Sequence, residues 1–253
     1  TSMKKTATLL ILFAAVALFA EVPNGYNEAL ALYSQGKYEE SLAKVRSVFE
    51  ENKTSYHLRM LAAANHAHAG RFNDAAAHLQ YLLKDHPDRP EPAALYAAIL
   101  RKQGQTGDAQ GLIARAMQQD PKNMNFVLEA ARIHYRAGNF AAARKHIENV
   151  LLAAPGNQEA LALDGLIFLR QGNPENAVFR FRQALGQPSS SKAALSDLYN
   201  NMAIALRRSA DALEKNGNPG EAASMRTEAS DMLARSLEQN PSNAIAKANK
   251  EAK

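Results

Sequence analysis

Gly138-Asn139-Phe140-Ala141-Ala142-Ala143 sets a glycine, an aromatic residue two places on and an alanine five places on, between two apolar-periodic segments. The arrangement returns along the chain. Gly36, Gly70, Gly104, Gly138 and Gly172 stand 34 residues apart, and Pro87, Pro121 and Pro155 keep the same interval. Seven residues before the glycines come Ala29, Ala63, Ala97, Ala131 and Gly165; five residues after them come Ser41, Ala75, Ala109, Ala143 and Ala177. Tyr38, Phe72 and Phe140 fill the second place after the glycine, while Thr106 and Pro174 break that column. Glycine takes the left-handed conformation that ends a helix at no Cβ cost. Proline cannot continue a helix. Small residues recur where two antiparallel helices must approach closely. The period therefore predicts helix pairs, each turned at its glycine and divided from the next at its proline.

These columns resemble the tetratricopeptide repeat family, as do phrases such as Gly36-Lys37-Tyr38-Glu39-Glu40-Ser41. The resemblance covers roughly residues 22–241, although the family's usual Trp early in the first helix is missing. It implies an all-α fold, a right-handed superhelical solenoid of antiparallel helix pairs. About six repeats are expected, near residues 22–55, 56–89, 90–123, 124–157, 158–191 and 196–241. The last is longer. Its loop glycine, Gly217, falls seven residues late, and Ala222 to Pro241 is 19 residues where the repeat has 12. Both helices of this pair thus gain two turns. Residues 242–253 predict a polar capping helix, which a solenoid end requires.

At the other end, Thr1 and Ser2 precede Met3 and read as residues left by cloning. Lys4 and Lys5 then lead a fourteen-residue apolar run from Ala7 to Ala20. A basic start, a short apolar stretch and small residues at its end make a secretory signal peptide, with cleavage expected after Ala20 and Ala15-Val16-Ala17 offering a second site after Ala17. The run falls short of the roughly 20 residues that span a bilayer. Export to the periplasm is the expectation; the alternative is a membrane tether through an uncleaved signal. Cleavage removes two lysines and no acid, which takes the net charge from +5 to +3. That charge is too mild to indicate nucleic acid as a partner.

The chain has no cysteine, which excludes disulfides, thiolate metal sites and cysteine nucleophiles. No phosphate-binding loop, dinucleotide fingerprint, HExxH or GxSxG occurs, so no catalytic residue and no cofactor is expected. The seven histidines do not fall at ligand spacing. His66 and His68 lie on different faces of one helix, and His66 and His134 share a column two repeats apart. No metal site is expected.

The family resemblance implies a concave groove lined by the first helix of each repeat. Carried over column by column, it assigns Tyr26, Leu30, Tyr33 and Met60, then Arg101 and Lys102, then Arg132, Tyr135 and Arg136. Arg170 follows, and then Asn200, Arg207 and Arg208. The set reads as apolar and aromatic at its N-terminal end and basic towards its C-terminal end. Two readings stay open for each part. The arginines either bind a partner or interact with the negative end of their helix dipoles. Tyr26 and Tyr33 either bind or pack the first repeat. The function expected is a non-enzymatic scaffold or adaptor that holds a peptide segment of a partner protein, one that is acidic or presents a C-terminal carboxylate. The alternatives are an assembly factor for envelope machinery (pilotin-like, pilus or outer-membrane assembly) and a self-assembling scaffold.

Overall fold

Gly104 shows how the period becomes structure. It closes its helix at φ +83°, its N–H donates to the Arg101 carbonyl, and the next N–H, of Gln105, reaches back to Leu100. Any residue with a Cβ would be strained there. The other loop glycines of the column, with Gly217, share this backbone. Helix starts are set by side chains. Asn157 Oδ1 accepts from the Ala160 N–H at 2.9 Å, and Ser55, Asn123, Asn173 and Ser191 cap their helices in the same manner.

The computed structural model describes residues 23–188 and 191–251. The export segment expected in residues 1–20 lies outside them. The chain divides into two compact units between Asn139 and Phe140. The first holds α1 (Tyr26–Ser34), α2 (Tyr38–Phe49), α3 (Tyr56–His68), α4 (Phe72–Asp85), α5 (Pro90–Gln103), α6 (Thr106–Gln119) and α7 (Met124–Arg136). The second holds α8 (Phe140–Ala153), α9 (Gln158–Arg170), α10 (Pro174–Leu185), α11 (Lys192–Lys215), α12 (Pro219–Gln239) and α13 (Ala244–Glu251). Among the described residues there is no strand. Consecutive helices pack in pairs, α1 on α2, α3 on α4 and α5 on α6, then α9 on α10 and α11 on α12. The fold is an all-α solenoid of helix pairs.

The two small-residue columns lie at the helix crossings. Ala29, Ala63, Ala97 and Ala131, with Ser41, Ala75, Ala109, Ala143 and Ala177, have no exposed surface. A further column, nine residues after each loop glycine, packs beside them: Val45, Leu79, Ile113, Ile147 and Phe181 are all buried. In α11 and α12, of 24 and 21 residues, the small residues repeat every seven. Ser196 Oγ lies 3.0 Å from Ser236 Oγ, and this register sets Ala203 against Ala229 and Ala210 against Ala222. All six are buried. An added seven residues is close to two helical turns, so the same face of each helix stays turned to its partner.

Candidate partner-binding site

The residues that the resemblance assigns to a partner fall in both units. In residues 23–139, Tyr26, Tyr33 and Met60 are core residues rather than exposed anchors. The Tyr33 hydroxyl pairs with His68 Nε2 at 3.0 Å, and its ring meets Tyr38 and His68 edge to face. Tyr26 meets His57 in the same way, and Leu30 packs half-buried on this cluster. Burial pushes both phenols upward, that of Tyr26 to about 12. Of the two readings left open for these tyrosines, packing is the role their surroundings supply.

Arg101 and Arg132 converge on one carboxylate. Glu129 of α7, 5% exposed, accepts from Arg101 Nε at 2.5 Å and from Arg132 Nη1 at 2.9 Å. Lys102 and Arg136 are exposed beyond this triad and Tyr135 is half-buried. Glu129 was not singled out in the sequence, although a signal exists. It stands among Phe126, Val127, Leu128, Ala130 and Ala131 on a buried face, three residues before an arginine, and a buried carboxylate there needs a partner. Glu91 is similar: it is buried and accepts from the Tyr56 hydroxyl at 3.0 Å.

The histidines of α3 and α4 form a paired site of another kind. His66 and His78 stack with centroids 5.8 Å apart, and Arg71 Nε donates to His66 Nδ1 at 3.0 Å. Burial and the Arg71 cation hold His66 below the ordinary imidazole range; burial brings His78 down to about 4. Among the described residues no three His, Cys, Asp or Glu side chains come close enough to share a metal ion.

In residues 140–251, Arg170 is exposed with its guanidinium 6.0 Å from the Phe140 ring. Asn200, Arg207 and Arg208 come together where α13 crosses α11. Arg207 Nη1 donates to the Asn249 carbonyl at 2.6 Å, Asn249 Nδ2 donates to Asn200 Oδ1 at 2.8 Å, and Arg208 Nη1 donates to the Leu169 carbonyl at 3.1 Å. Between them lies a cavity of about 180 Å³ lined by Ala203, Ile204, Arg207, Arg208, Leu233 and Asn249. Each guanidinium has five N–H donors. Of its apolar lining, Ala203 and Leu233 are buried and Ile204 is half-buried. Asp164, by contrast, is closed off: it is 2% exposed and held by Arg144 at 3.1 Å and Arg180 at 2.8 Å.

A family model described as tetratricopeptide repeat matches residues 32–99 and again residues 100–166. Among solved structures, the chain is similar to a tetratricopeptide repeat protein from Parabacteroides merdae ATCC 43184, with 12% identity, a TM-score of 0.71, and 89% of this chain and 81% of that one covered. It is similar to PilW, described as a widely conserved type IV pilus biogenesis factor, at 14% identity and TM-score 0.67, covering 89% of this chain and 96% of that one. It is also similar to pilF of Pseudomonas aeruginosa, at 12% identity and TM-score 0.63, covering 90% and 96%. At these identities the likeness is one of fold. No curated protein matches the chain in sequence.

Proposed function

This chain belongs to the tetratricopeptide repeat family, and from that premise we propose that it is a non-enzymatic scaffold holding a segment of a partner protein. The family is in general a protein-interaction fold without catalysis. The observation that carries the reading is the cavity of about 180 Å³ at α11, bordered by Arg207, Arg208, Ile204 and Asn249. An acidic side chain or a chain-terminal carboxylate of the partner pairs with the guanidiniums. Arg170, in the same unit, adds exposed positive charge, which steers an acidic segment during encounter.

The place of action in this reading is the periplasm, from the basic start and the short apolar run of residues 4–20. No helix among the described residues is long and apolar enough to cross a membrane. PilW, a fold relative, is described as a pilus biogenesis factor, and by that analogy the partner is a component of envelope assembly machinery.

Chemical cross-linking in a periplasmic extract tests the reading, with the chain, its Arg208→Glu variant and a Lys145→Glu control. Lys145 is exposed on α8, away from the cavity. Loss of a cross-linked partner with Arg208→Glu alone is the expected outcome. Equal loss with both variants means bulk charge rather than a site, and no loss with either removes the cavity from the function. Intact mass of the periplasmic protein, beginning at Glu21, checks the export half.

A further inference from the structure

The two guanidiniums that close over Asp164 come from second helices of their pairs, outside the columns assigned to the groove. Arg144 of α8 donates through Nε to Asp164 Oδ1 at 3.1 Å, and Nε of Arg180 on α10 lies 2.8 Å from Oδ2. The repeat does not require this cluster. Asp164 stands where Ala130 and Tyr96 stand one and two repeats earlier, and Arg180 where His146 and Leu112 do. A buried carboxylate is costly unless paired, but a single bidentate guanidinium supplies that pairing. A second guanidinium, from a separate helix, exceeds what the burial of Asp164 demands.

Both cations reach solvent, with side chains 36% and 28% exposed. Among the described residues neither pairs with a second carboxylate, and neither terminal nitrogen of Arg144 has a hydrogen-bond partner. Arg180 uses Nη1 for Gln183 Oε1, at 2.9 Å. Rings border both groups: the Arg144 guanidinium lies 4.7 Å from the centre of the Phe168 ring, and that of Arg180 5.9 Å from the Phe179 ring. Phe179 is 57% exposed, at a place where Gly111 and Lys145 stand in the two preceding repeats. A lone exposed apolar side chain is ordinary. This one stands beside two cations that face one carboxylate.

We propose that Arg144, Arg180 and Phe179 form a second interaction surface, and that its occupant is an acidic segment of a partner protein that sets a carboxylate beside an apolar side chain. The carboxylate meets the free edge of Arg144 and the remaining donors of Arg180 in charge-assisted hydrogen bonds. The apolar side chain covers Phe179, whose large ring loses little conformational freedom on contact. Asp164 and the neighbouring rings already hold the guanidiniums, so less side-chain entropy is lost when they bind. A phosphate polymer would call for a longer row of cations, and the next arginine on α10, Arg182, is taken by Glu228 at 2.9 Å. The surface shares no residue with the cavity at α11. It rests on the scaffold reading for the class of its partner and on nothing else in it.

The test titrates the full chain, and separately its Arg208→Glu variant, with an end-capped peptide that alternates glutamate and phenylalanine. The arginine Nε–H signals and the Phe179 ring are followed by NMR. Saturable shifts at Arg144, Arg180 and Phe179 in both chains are the expected result, and they stand whether or not the cavity at α11 binds a partner. Arg144→Gln weakens binding about tenfold, as for one lost charge-assisted hydrogen bond, and Phe179→Ala weakens it as well. Arg182→Gln removes the same charge from α10 and changes binding by at most about twofold, because that charge is met by Glu228 and screened by salt. Equal weakening by Arg144→Gln and Arg182→Gln means bulk charge and overturns the proposal. So does an equal response to a peptide with glutamine in place of glutamate, or to inorganic phosphate at the same concentration. Should Arg144→Gln lose its helical signal, the titration of the parent chain decides, and absence of shifts at Arg144 and Arg180 overturns the proposal.

Discussion

Gly165 occupies a place where the other repeats carry alanine, and the cause lies in another column. A Cβ at Gly165 would stand 2.6 Å from the ring of Phe181, which is fully buried. Phe181 in turn replaces the Val, Leu or Ile found at that place elsewhere, so the larger ring is accommodated by removing the opposing methyl. Gly165→Ala should therefore lower the thermal midpoint, since overpacking costs about 1–3 kcal/mol and outweighs the helix propensity gained. Phe181→Leu in the same chain recreates the Ala63 and Leu79 arrangement and should turn the alanine into a gain. Gly111 predicts the opposite sign for the same substitution. It lies inside α6 with nothing within 4 Å of an added Cβ. Gly111→Ala should raise stability by about 0.5–1 kcal/mol. A chain in which both glycine substitutions shift the midpoint alike would refute this account of Gly165. The small-residue column was legible in the sequence because spacing reveals a repeated close approach. That Gly165 is required rather than tolerated was not, because it depends on a second column that had not been aligned.

Helix pairs show the same division between what spacing reveals and what neighbours decide. The seven-residue excess in both α11 and α12 was readable from Gly217 and Pro241, and the Ser196–Ser236 contact gives its register. Removing Ser209–Lys215 together with Pro219–Met225 brings Ala203 and Ala229 to the places held by small residues in the shorter repeats. That double deletion should keep its helical signal and melt cooperatively. Removing Ser209–Lys215 alone leaves α12 unpaired over two turns and should melt well below it. The arginines were less legible. Their column fixes the helix and the face, but Glu129 arrives from another helix to claim Arg101, and spacing within one helix does not show that. The α3–α4 pair adds a pH dependence. Burial lowers both imidazoles; Arg71 and Arg46 lower His66 further and the neighbouring His66 and Arg59 lower His78 further, opposed by Asp74 at both and by Glu39 at His66. The unfolded chain takes up a proton at His78 near pH 6.5, whereas the folded chain waits until about 4. Between those values the unfolded state binds more protons, so stability falls as the pH is lowered through this window. Thermal midpoints from pH 7 to pH 4 should show the fall, and His78→Gln should flatten it. A variant as acid-sensitive as the parent would exclude the histidine.

Across the molecule, the repeat makes contacts between neighbours dominate, so a local fault should stay local. The core around Ala63 gathers residues of α1 to α5, from Tyr26 to Ile99, and a separate cluster gathers Leu161 to Leu233. In a chain of stacked units, stability is close to a sum of repeat and nearest-neighbour terms. Ala63→Leu forces a larger side chain into a fully buried crossing, at a cost of about 1–3 kcal/mol. Amide exchange should then accelerate in α1 to α5, where the strained contacts are, while the amides of α11 and α12 keep the protection they have in the parent chain. The contrast with a globular domain is sharp, because there the same cost would lower the protection of every core amide through global opening. Uniform acceleration in α3 and α12 would mean that one cooperative transition joins the two units. Protection lost only around α3 would mean that the chain can open one end while the other, with the cavity of Arg207 and Arg208, stays formed and able to bind.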